Sequence, residues 1–543
     1  MCEVEGDYNG LECNQKIPVP TLNRKCMKCK EGAAVLIIRV NDAFCRACFK
    51  EYFIHKFRAM LGKNRVIFPQ EKVLLAVSGG AASCSMLSQV QEGLSREAPK
   101  KLRFMPGIIY IDDGGACGRS AEERQRSNAL LKSIFTETGF PYFIVSLEQV
   151  FSLPASVLVP GTSDPDPSNL SYKQAVDQYV KEKQTLTEEN VASAVAQLSI
   201  GDSVYSHKHK LALERLFSSL KTLTAKEDML QTLRQHLILH IARENGYSKV
   251  MMGDSCSRLA VRLLSNIALG RGAALASDTG FSDPRYGDVV IVRPMRDYSS
   301  KEIAFYSRMF NVPSVFISGL DTKTHDKASI QRLTESFVTN LQSDFPSTVS
   351  TIYRTSEKLH TVMPPQSQSA EPASKCLLCL CTLDTKEDKA SAFHATLVSE
   401  QLSQIKLQDL SLDAPGQSAE QCCTEGQGCG PGGCCSSNRL SSHQDLKTLL
   451  CYSCRLTIKD MVATNSLPPY IITEAEKRQK RFSLGFRSGE FAGQSSTPTP
   501  WSFNQLLVLL AVWAGAKSCW KMKSASSKSW SAEGTMKCSK ISQ

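Results

Sequence analysis

Four cysteine pairs, each with two residues between its members, constrain the fold of this chain more than any other feature. The pairs form two sets, Cys26-x-x-Cys29 with Cys45-x-x-Cys48 near the start and Cys376-x-x-Cys379 with Cys451-x-x-Cys454 towards the end. Each set supplies four thiolates within reach of one tetrahedral ion, which is the ligand set of structural zinc. We therefore predict two closed zinc sites that serve folding and not hydrolysis, with unrelated buried thiols as the alternative.

The two sets differ in spacing. Fifteen residues separate Cys29 from Cys45, a distance common in zinc ribbons, whereas 71 residues separate Cys379 from Cys451. Cys381 is a further thiol beside the first half of the second set. Five more cysteines, at positions 422, 423, 429, 434 and 435, lie in a Gly- and Ser-rich stretch inside the longer gap. For this stretch we expect a disordered, partly oxidisable loop, with a second metal site or a sulfur-handling role as the alternative.

Charge and cysteine usage bear on partners and compartment. The net charge is +11, but the last 43 residues hold six Lys and one Glu, so they supply +5 and leave +6 for residues 1–500. A mildly basic body permits an RNA partner without requiring one. The acidic start carries no secretory signal, and the longest apolar run, Leu506–Trp513, is far shorter than the ~20 residues that span a bilayer. We therefore expect a cytoplasmic protein with no membrane partner, whose paired cysteines bind metal.

Strand and helix patterns alternate from residue 71 to residue 310. Five short apolar segments have the length and composition of buried strands: Lys72–Val77, Phe104–Asp112, Tyr142–Leu147, Lys249–Met252 and Val289–Arg293. Helical patterns separate them, and two Ser/Thr-x-x-Glu sequences, Thr224–Glu227 and Ser299–Glu302, are typical of helix N-termini. This alternation predicts an α/β fold with a parallel sheet.

Changes in composition divide the chain into six regions. We expect a flexible leader at 1–25, a zinc module with a basic helix at 26–66, an α/β domain at 67–360 with an insertion at 152–220, a linker at 361–375, a split zinc module with a disordered insert at 376–486, and an atypical basic tail at 487–543. The insertion is inferred from Pro-, Ser- and Asp-rich sequence followed by polar helical stretches.

A glycine turn, Ser78-Gly79-Gly80-Ala81-Ala82-Ser83, follows the first predicted strand and precedes a helix. Glycines let backbone N–H groups approach an anion closely, and a helix N-terminus adds positive potential. The turn lacks the Lys-Ser/Thr of a Walker loop, so it is not an ordinary ATPase loop. We predict that Ser78, Gly79, Gly80 and Ser83 hold a nucleotide or pyrophosphate; a relic of such a loop and a plain tight turn are the alternatives.

This loop and three later motifs resemble the PP-loop ATP pyrophosphatases, many of which act on tRNA bases. The later motifs are Tyr110-Ile-Asp-Asp113, Gly253-Asp-Ser-Cys-Ser-Arg258 and Arg293-Pro-Met295 with Lys301-Glu-Ile303. The resemblance implies a parallel-sheet core of the adenine nucleotide alpha hydrolase type, flanked by N-terminal and split C-terminal zinc modules. Active members carry an Asp where this chain has Ala82. Thiolating members also need redox or cluster cysteines in the core, which here offers only Cys84, Cys117 and Cys256.

Longer strings narrow the resemblance to the family of cytoplasmic tRNA 2-thiolation protein 2. They are HKFRAMLGKNR (55–65), EKVLLAVSGG (71–80), TLTAKE (222–227), GYSKVMMGDSCSRLA (246–260), RPMRDYSSKEIAFYSRMF (293–310), CLLC (376–379) and CYSCR (451–455). The resemblance covers about residues 24–486. The tail after Arg487 shows no resemblance to that family's end, and we expect it to be an alternative C-terminus.

The family resemblance implies a division of labour between two related chains. This chain would be the non-catalytic partner of a catalytic PP-loop subunit in a heterodimer. The pair would act as a sulfurtransferase that replaces oxygen with sulfur at carbon 2 of wobble U34 in the Lys, Glu and Gln tRNAs. ATP, with magnesium, would adenylate the uridine oxygen and make it a leaving group. Sulfur would arrive as the thiocarboxylate of a ubiquitin-related modifier.

The stretch 44–65 carries six basic residues and one acid. Phe49, Phe53 and Phe57 recur four residues apart, which predicts one buried helix face. The basic residues suit packing on the zinc module or contact with tRNA phosphates, and the candidates for the second role are Lys56, Arg58, Lys63 and Arg65.

Other interpretations remain open from sequence. Asp112 and Asp113 suit magnesium, although acids at strand ends are common, and Cys256 suits a sulfur relay, although a small buried residue is the commoner role. Two further functions are an autonomous adenylating tRNA enzyme and a zinc-based interaction scaffold. The complete α/β domain counts against the scaffold.

Overall fold

The structure is a computed structural model, and it describes residues 24–38, 42–95, 101–159, 161, 171–185, 207–322, 324–355, 375–383, 446–461 and 464–485. The described residues up to Arg481 belong to one compact unit. Of a second unit, Phe482–Gln543, only the end of the last helix is described. Among the described residues, no helix is long and apolar enough to cross a membrane.

The strands are numbered in chain order: β1 (Leu36–Ile37), β2 (Ala43–Phe44), β3 (Lys72–Ala76), β4 (Met105–Asp112), β5 (Tyr142–Ser146), β6 (Lys249–Met252), β7 (Ser282–Asp283) and β8 (Val290–Val292). The helices are α1 (Arg46–Asn64), α2 (Ala81–Leu94), α3 (Gly114–Cys117), α4 (Ala121–Thr138), α5 (Tyr172–Thr185), α6 (His207–Ser219), α7 (Leu223–Glu244), α8 (Cys256–Ala268), α9 (Leu275–Thr279), α10 (Ser300–Met309), α11 (Ile330–Asp344), α12 (Pro346–Thr355), α13 (Tyr452–Thr457) and α14 (Pro469–Gly485). Short 3₁₀ helices lie at Leu147–Ser152, Ala155–Leu158, Gly272–Ala274 and Thr464–Ser466.

A sheet of six of the described strands forms the centre, in the order β5-β4-β3-β6-β8-β7. Its neighbouring pairs are parallel except for β7 with β8 at one edge. The parallel α/β core expected from the sequence is confirmed, and the five predicted strands correspond to β3, β4, β5, β6 and β8 within one residue at each end. The edge strand β7 was not predicted, because two residues are too few to show an alternating pattern.

The order of the strands indicates where a sheet of this kind binds a ligand. From β3 the chain moves to β4 and β5 on one side and then crosses to β6 on the other side. In open α/β sheets, ligands bind at the carboxyl ends of the strands that flank such a reversal. We call this side of the sheet the carboxyl edge. The glycine turn lies there, because it joins the end of β3 to the start of α2.

Alternate residues of β3 pack into two different layers. Val73 and Leu75 are buried in the layer that contains α1, α2 and α10. Leu74 is buried in the opposite layer, which contains α6, α7, α14 and the C-terminal cysteine set. Helix α6 lies in the range expected to be an insertion, yet it buries Leu213 and Leu216 in this layer. The apolar face of α6 was not recognised from sequence because most residues of the range 152–220 are polar.

Helix α7 begins two residues earlier than the sequence suggested. Thr222 is its N-cap, and the Thr222 hydroxyl accepts a hydrogen bond from the N–H of Ala225. The predicted capping box at Thr224 is wrong, because this hydroxyl instead accepts a 3.1 Å bond from the N–H of Ile330 at the start of α11. The second predicted box is confirmed, since Ser299 and Glu302 exchange both hydrogen bonds at the start of α10.

Candidate functional site

The N-terminal cysteine set comes together as one quartet. The Sγ atoms of Cys26, Cys29, Cys45 and Cys48 all lie within 4.8 Å of one another. Those of Cys29 and Cys45 are 3.9 Å apart. A tetrahedral ion with Zn–S bonds of ~2.3 Å requires S···S separations of ~3.8 Å. The quartet therefore has the dimensions of a single tetrahedral metal site.

Two different backbone structures hold the halves of this N-terminal quartet. Cys26 and Cys29 lie in a turn that closes when the N–H of Lys30 donates to the Cys26 carbonyl, and Lys30 has a φ of 62°. Cys45 is the N-cap of α1, and Cys48 lies in the first turn of this helix. The turn and the helix together bring the two cysteine pairs to one point.

The C-terminal set forms a second quartet with the same local structure. The Sγ atoms of Cys376, Cys379, Cys451 and Cys454 all lie within 4.8 Å of one another, and those of Cys379 and Cys451 are 3.6 Å apart. Leu380 has a φ of 57°, and its N–H donates to the Cys376 carbonyl. Cys451 is the N-cap of α13. The 71 intervening residues therefore do not prevent the two halves from meeting.

Ionisation is shared unequally within the N-terminal quartet. Burial opposes ionisation of Cys26, but hydrogen bonds from the backbone N–H groups of Cys45 and Cys29 outweigh it and lower the pKa of Cys26 to about 6. Burial, reinforced by the neighbouring thiols, raises the pKa of Cys48 to about 12. A bound divalent cation would allow all four thiols to ionise together.

Two arginines stand beside the sulfur atoms of the C-terminal quartet. A guanidinium nitrogen of Arg271 lies 4.0 Å from the Sγ of Cys454. Arg285 donates to the Sγ of Cys381, the additional thiol, at 2.8 Å. Hydrogen bonds from Cys376 and Cys381 hold the pKa of Cys379 well below its usual value. Arg271 is also paired with Asp228, and Arg285 with Asp278 and Asp283, so the thiols share these cations with nearby carboxylates.

The glycine loop is closed by its own serines. The Oγ of Ser83 donates to the Gly80 carbonyl at 3.1 Å and lies 3.2 Å from the Oγ of Ser78. Gly79 has a φ of 85°, and its carbonyl accepts a 2.9 Å bond from the N–H of Val315. The structure thus brings the four predicted loop residues together. The Ser83 hydroxyl shapes the loop through hydrogen bonds to Ser78 and Gly80.

The start of α2 presents unused donors. The backbone N–H groups of Gly80, Ala81 and Ala82 have no hydrogen-bond partner among the described residues. The end of β6 lies directly against this turn, because a Cβ at Gly253 would come within 2.9 Å of the Cα of Ser83. These donors therefore lie at the reversal of the sheet, where a negatively charged group is favoured.

The two acids at the end of β4 are engaged by arginines. Asp112 accepts from Arg124 at 2.8 Å and from Arg119 at 3.2 Å. Asp113 accepts from Arg119 at 2.9 Å and is also paired with Arg234. Both carboxylates are buried. Because they are already neutralised, the geometry does not support the magnesium role considered for Asp112 and Asp113.

The acid at the end of β6 is engaged in the same way. Asp254 is buried and pairs with Arg262 at 3.0 Å and with Arg293 at 3.5 Å. Burial raises the pKa of Asp254, but the charges of Arg262 and Arg293 outweigh it and leave the pKa below its usual value. This carboxylate is ionised and fully compensated by the protein.

The core thiols are poor nucleophiles. Burial raises the pKa of Cys84 to about 12 and those of Cys117 and Cys256 to about 11. Each is therefore a neutral thiol near pH 7, whereas nucleophilic attack requires the thiolate. Cys256 is 5% exposed, as expected for a small buried residue.

Helix α1 has the predicted aromatic face and a divided basic face. Phe49, Phe53 and Phe57 are all buried. Lys56 forms a 2.7 Å ion pair with Glu302 and its side chain is 16% exposed. We therefore remove Lys56 from the candidates for tRNA contact.

The other three basic candidates keep solvent access. Arg58 is half-buried, while Lys63 and Arg65 are exposed. No ion pair joins them to any described residue. Their contact with tRNA stays a prediction.

The direction of α1 relates this basic face to the glycine loop. Where α1 and α10 touch, they run in opposite directions: Arg46 donates to a carbonyl in the last turn of α10, and Lys56 pairs with Glu302 in its first turn. Helix α10 begins at the carboxyl edge, since the carbonyl of Tyr298 accepts from the N–H of Cys256, which follows β6. The second half of α1 therefore points towards the edge that carries the loop.

Two open cavities lie away from this edge. One, of about 620 Å³, is lined by Val157, His240 and Arg243 among others. The other, of about 490 Å³, lies between α1 and Phe310. Neither is lined by a residue of the glycine loop.

Fold and sites together define an α/β protein with a glycine loop at the reversal of its mainly parallel sheet and two cysteine quartets that could each hold a metal ion. A sequence profile described as cytoplasmic tRNA 2-thiolation protein 2 matches residues 329–456. A Danio rerio protein of that name is 80% identical over 494 residues, which are 90% of this chain and 99% of the relative. The Homo sapiens protein of that name is 49% identical over 89% of this chain and 96% of its own length. The chain belongs to the family of cytoplasmic tRNA 2-thiolation protein 2.

One of the solved structures to which this chain is similar is distant from it in sequence. It is a U34-tRNA thiolase from Methanococcus maripaludis, solved with its 4Fe–4S cluster. It is 15% identical, has a TM-score of 0.42, and the match covers 64% of this chain and 91% of that one. We draw no functional conclusion from so distant a likeness.

Proposed function

We propose that this chain is the non-catalytic subunit of a cytoplasmic tRNA thiolase and works with a catalytic PP-loop subunit. The proposed product is 2-thiouridine at wobble U34 of the Lys, Glu and Gln tRNAs. The proposed sulfur donor is a thiocarboxylated ubiquitin-related modifier. Membership of a family whose relatives are named for tRNA 2-thiolation supports the reaction class.

The observation that carries the division of labour is the state of the carboxyl edge. Asp112, Asp113 and Asp254 are all paired with arginines, so none of them offers a ligand to magnesium. The core thiols Cys84 and Cys256 have raised pKa values and do not suit sulfur transfer. The unused N–H donors of the loop remain. The described groups at this edge can bind an anion, but they offer neither a ligand for magnesium nor a thiolate. An autonomous adenylating enzyme is therefore the weaker candidate.

In the proposed complex, the catalytic subunit would use ATP to adenylate O2 of U34, with release of pyrophosphate. The thiocarboxylate sulfur would then displace AMP from carbon 2, and water would cleave the acyl–sulfur bond and release the modifier as its carboxylate. The residues of this chain contribute binding. Arg58, Lys63 and Arg65 present positive charge on the part of α1 that points towards the loop, and each phosphate contact adds salt-dependent affinity. The N–H groups of Gly80 and Ala81 are free to hold a phosphate at the start of α2.

We further propose that both cysteine quartets hold structural zinc, one in each of two modules that flank the α/β domain. The S···S distances of 3.9 Å and 3.6 Å support this, because they match those of a tetrahedral four-thiolate ion. Neither quartet leaves a ligand position for a substrate, so their role is to stabilise the fold.

The first test is cellular. Depletion of the protein should lower wobble 2-thiouridine in bulk tRNA, and re-expression of the wild type should restore it. A variant with Arg58, Lys63 and Arg65 all changed to Gln should restore it less well. A variant with Lys132, Lys210 and Lys221 all changed to Gln, three exposed lysines outside α1, is the matched control for loss of surface charge. Unchanged 2-thiouridine after depletion would refute the proposed function.

A second test separates a subunit from an autonomous enzyme. The purified chain should release no pyrophosphate from ATP in the presence of tRNA, whereas the chain together with the catalytic subunit should. Pyrophosphate release by the chain alone would establish the autonomous enzyme instead.

A further inference from the structure

Phe316 is the most exposed of the large hydrophobic side chains in the described part of the chain, at 86%. It lies in the segment that follows α10 and crosses the glycine loop. The N–H of the preceding residue, Val315, donates to the Gly79 carbonyl at 2.9 Å. The following residue, Ile317, packs in the layer of α2, and its Cδ1 lies 3.2 Å from the position that a Cβ at Gly79 would take. Because both neighbours are anchored against the loop, Phe316 is held outwards by the structure.

One exposed basic residue lies at the same edge of the sheet as this ring. Arg258, in the first turn of α8 after β6, is exposed and forms no ion pair with any residue that the structure describes. Its charge acts on Arg234 and Asp254, which places it at the same edge. The adjacent strands β3 and β6 lead into the loop and into α8, and their ends meet, because a Cβ at Gly253 would come within 2.9 Å of the Cα of Ser83.

An exposed ring at an edge that also carries an exposed arginine suits RNA recognition. Unpaired bases are bound by stacking on aromatic side chains, with the backbone held by nearby basic residues. A protein interface needs ~800 Å² from each partner, whereas one aromatic side chain supplies ~150–250 Å². Pro313 and Ser314, which precede the anchored Val315, are exposed, and only Pro313 of these two is apolar.

We propose that Phe316 stacks an unpaired base of the substrate RNA and that Arg258 contacts a phosphate of the same strand. The site deepens the proposed function and rests on it, because it takes tRNA as the ligand. It differs from the loop itself in that it reads a base face and needs neither nucleotide nor magnesium.

The test measures the Kd of the purified full chain for an unmodified transcript of a Lys tRNA, at several salt concentrations. Phe316→Ala should weaken binding by about 5-fold to 100-fold, the range of one lost stacking contact, with an unchanged salt dependence. Phe316→Trp, which keeps a ring, should bind like the wild type. Arg258→Gln should lower the slope of log Kd against log salt by about one phosphate contact. Binding to a fully paired RNA duplex should not respond to Phe316→Ala.

Other outcomes are distinct. Because Phe316 is exposed, Phe316→Ala should leave the melting temperature unchanged, so a loss of affinity reports on binding. If the wild type binds the transcript and supports thiolation but Phe316→Ala binds equally well, the stacking site is refuted and the proposed function stands. If Phe316→Ala instead loses only its association with the catalytic subunit, the ring is a protein contact and the proposal is wrong. If the wild-type chain binds no tRNA, the proposed tRNA-binding role fails first.

Discussion

His236 and Tyr470 are joined by a 2.6 Å hydrogen bond between the imidazole Nδ1 and the phenol oxygen, and both side chains are buried. The other ring nitrogen, Nε2, lies 2.8 Å from the carbonyl oxygen of Leu378, between the cysteines Cys376 and Cys379. A carbonyl only accepts, so we assign the proton to Nε2, and Nδ1 accepts from Tyr470. One neutral imidazole therefore connects α7, the turn of the C-terminal quartet and α14.

This histidine predicts a pH dependence of stability. Burial lowers the pKa of His236 from 6.5 to about 4. Between these values the unfolded chain binds a proton at this residue and the folded chain does not, so the free energy of unfolding falls as pH falls from 6.5 towards 4. The loss from this residue should approach ~1.4 kcal/mol per pH unit. Above pH 6.5 both states are neutral and the residue contributes no pH dependence.

Urea unfolding at several pH values measures this effect. Acid also releases metal from thiolates, so the measurement needs a control. The control is His236→Gln, which has no titratable group at this position. The wild type should lose more stability than His236→Gln between pH 6.5 and pH 5. Equal slopes would mean that His236 is not buried as a neutral ring. Tyr470→Phe should cost about 1–3 kcal/mol at pH 7, since it leaves Nδ1 buried without a donor.

A second prediction concerns the arginines that neutralise the carboxyl edge. Arg124 is buried and pairs with Asp112 at 2.8 Å and with Glu148 at 2.6 Å. Arg124→Gln leaves Glu148 buried with its charge uncompensated and leaves Asp112 paired with Arg119 alone, so we expect a loss of about 3–5 kcal/mol. Arg126→Gln, on the exposed face of the same helix, should change stability by less than about 0.5 kcal/mol.

Thermal and urea unfolding of the two arginine variants provide the comparison. Should Arg124→Gln be as stable as Arg126→Gln, the two acids are protonated or hydrated in the folded protein. The pairing of Asp112 with arginine would then no longer count against an autonomous enzyme.

A third prediction concerns metal content. Cys26→Ser and Cys376→Ser each remove one ligand from a different quartet, so each purified variant should retain one equivalent of zinc less than the wild type. Cys117→Ser changes a thiol outside both quartets and should retain the wild-type content. Elemental analysis of the purified chain decides the matter. Wild-type zinc content in either quartet variant would show that the cysteines do not form the site.

The two quartets should differ in their effect on folding. Cys376 is buried in the same layer as α7 and α14, whereas Cys26 packs in the layer of α1. We expect Cys376→Ser to lower the melting temperature of the α/β domain, and Cys26→Ser to disturb chiefly the packing of α1. Hydrogen exchange of α7 and α1 distinguishes the two effects.

Much of the fold and of the metal sites could be predicted from local pattern. The predicted bounds of the strand Lys249–Met252 agree with the structure at both ends, because a short apolar run between turn signals can begin and end at few other residues. The buried face of Phe49, Phe53 and Phe57 followed from their spacing alone. The C-terminal quartet was predicted although 71 residues separate its halves, because two Cys-x-x-Cys pairs supply the four ligands of one tetrahedral ion regardless of the sequence between them.

What the sequence did not show depends on contacts between distant residues. Lys56 looked like a surface cation until folding placed it beside Glu302, 246 residues later. Asp112 looked like a metal ligand, but helix α4 supplies Arg124 to it. Thr224 looked like a helix cap, but its hydroxyl bonds to Ile330. In each case the residue type suited the predicted role, but a hydrogen bond or ion pair with another part of the fold engages the side chain instead.

The final prediction separates the two glycines of the loop. Gly79 has a φ of 85°, and a Cβ there would lie 3.2 Å from both Ile317 and Leu131. Gly79→Ala should therefore destabilise the protein by at least ~1–2 kcal/mol. Gly80 has a φ of −72°, and the nearest atom to its Cβ position is the Ser78 hydroxyl at 3.8 Å. Gly80→Ala should be within ~0.5 kcal/mol of the wild type.

Because Gly80 tolerates a side chain, its variants test the function of the loop without unfolding it. Gly80→Val should keep the melting temperature of Gly80→Ala, while the bulkier side chain obstructs an anion from the N–H groups at the start of α2. We expect cells that carry Gly80→Val to restore less wobble 2-thiouridine than cells that carry Gly80→Ala. Equal restoration, with both variants folded, would make the loop a relic of an ancestral nucleotide site, and the contribution of this chain would then lie in α1 and the cysteine modules.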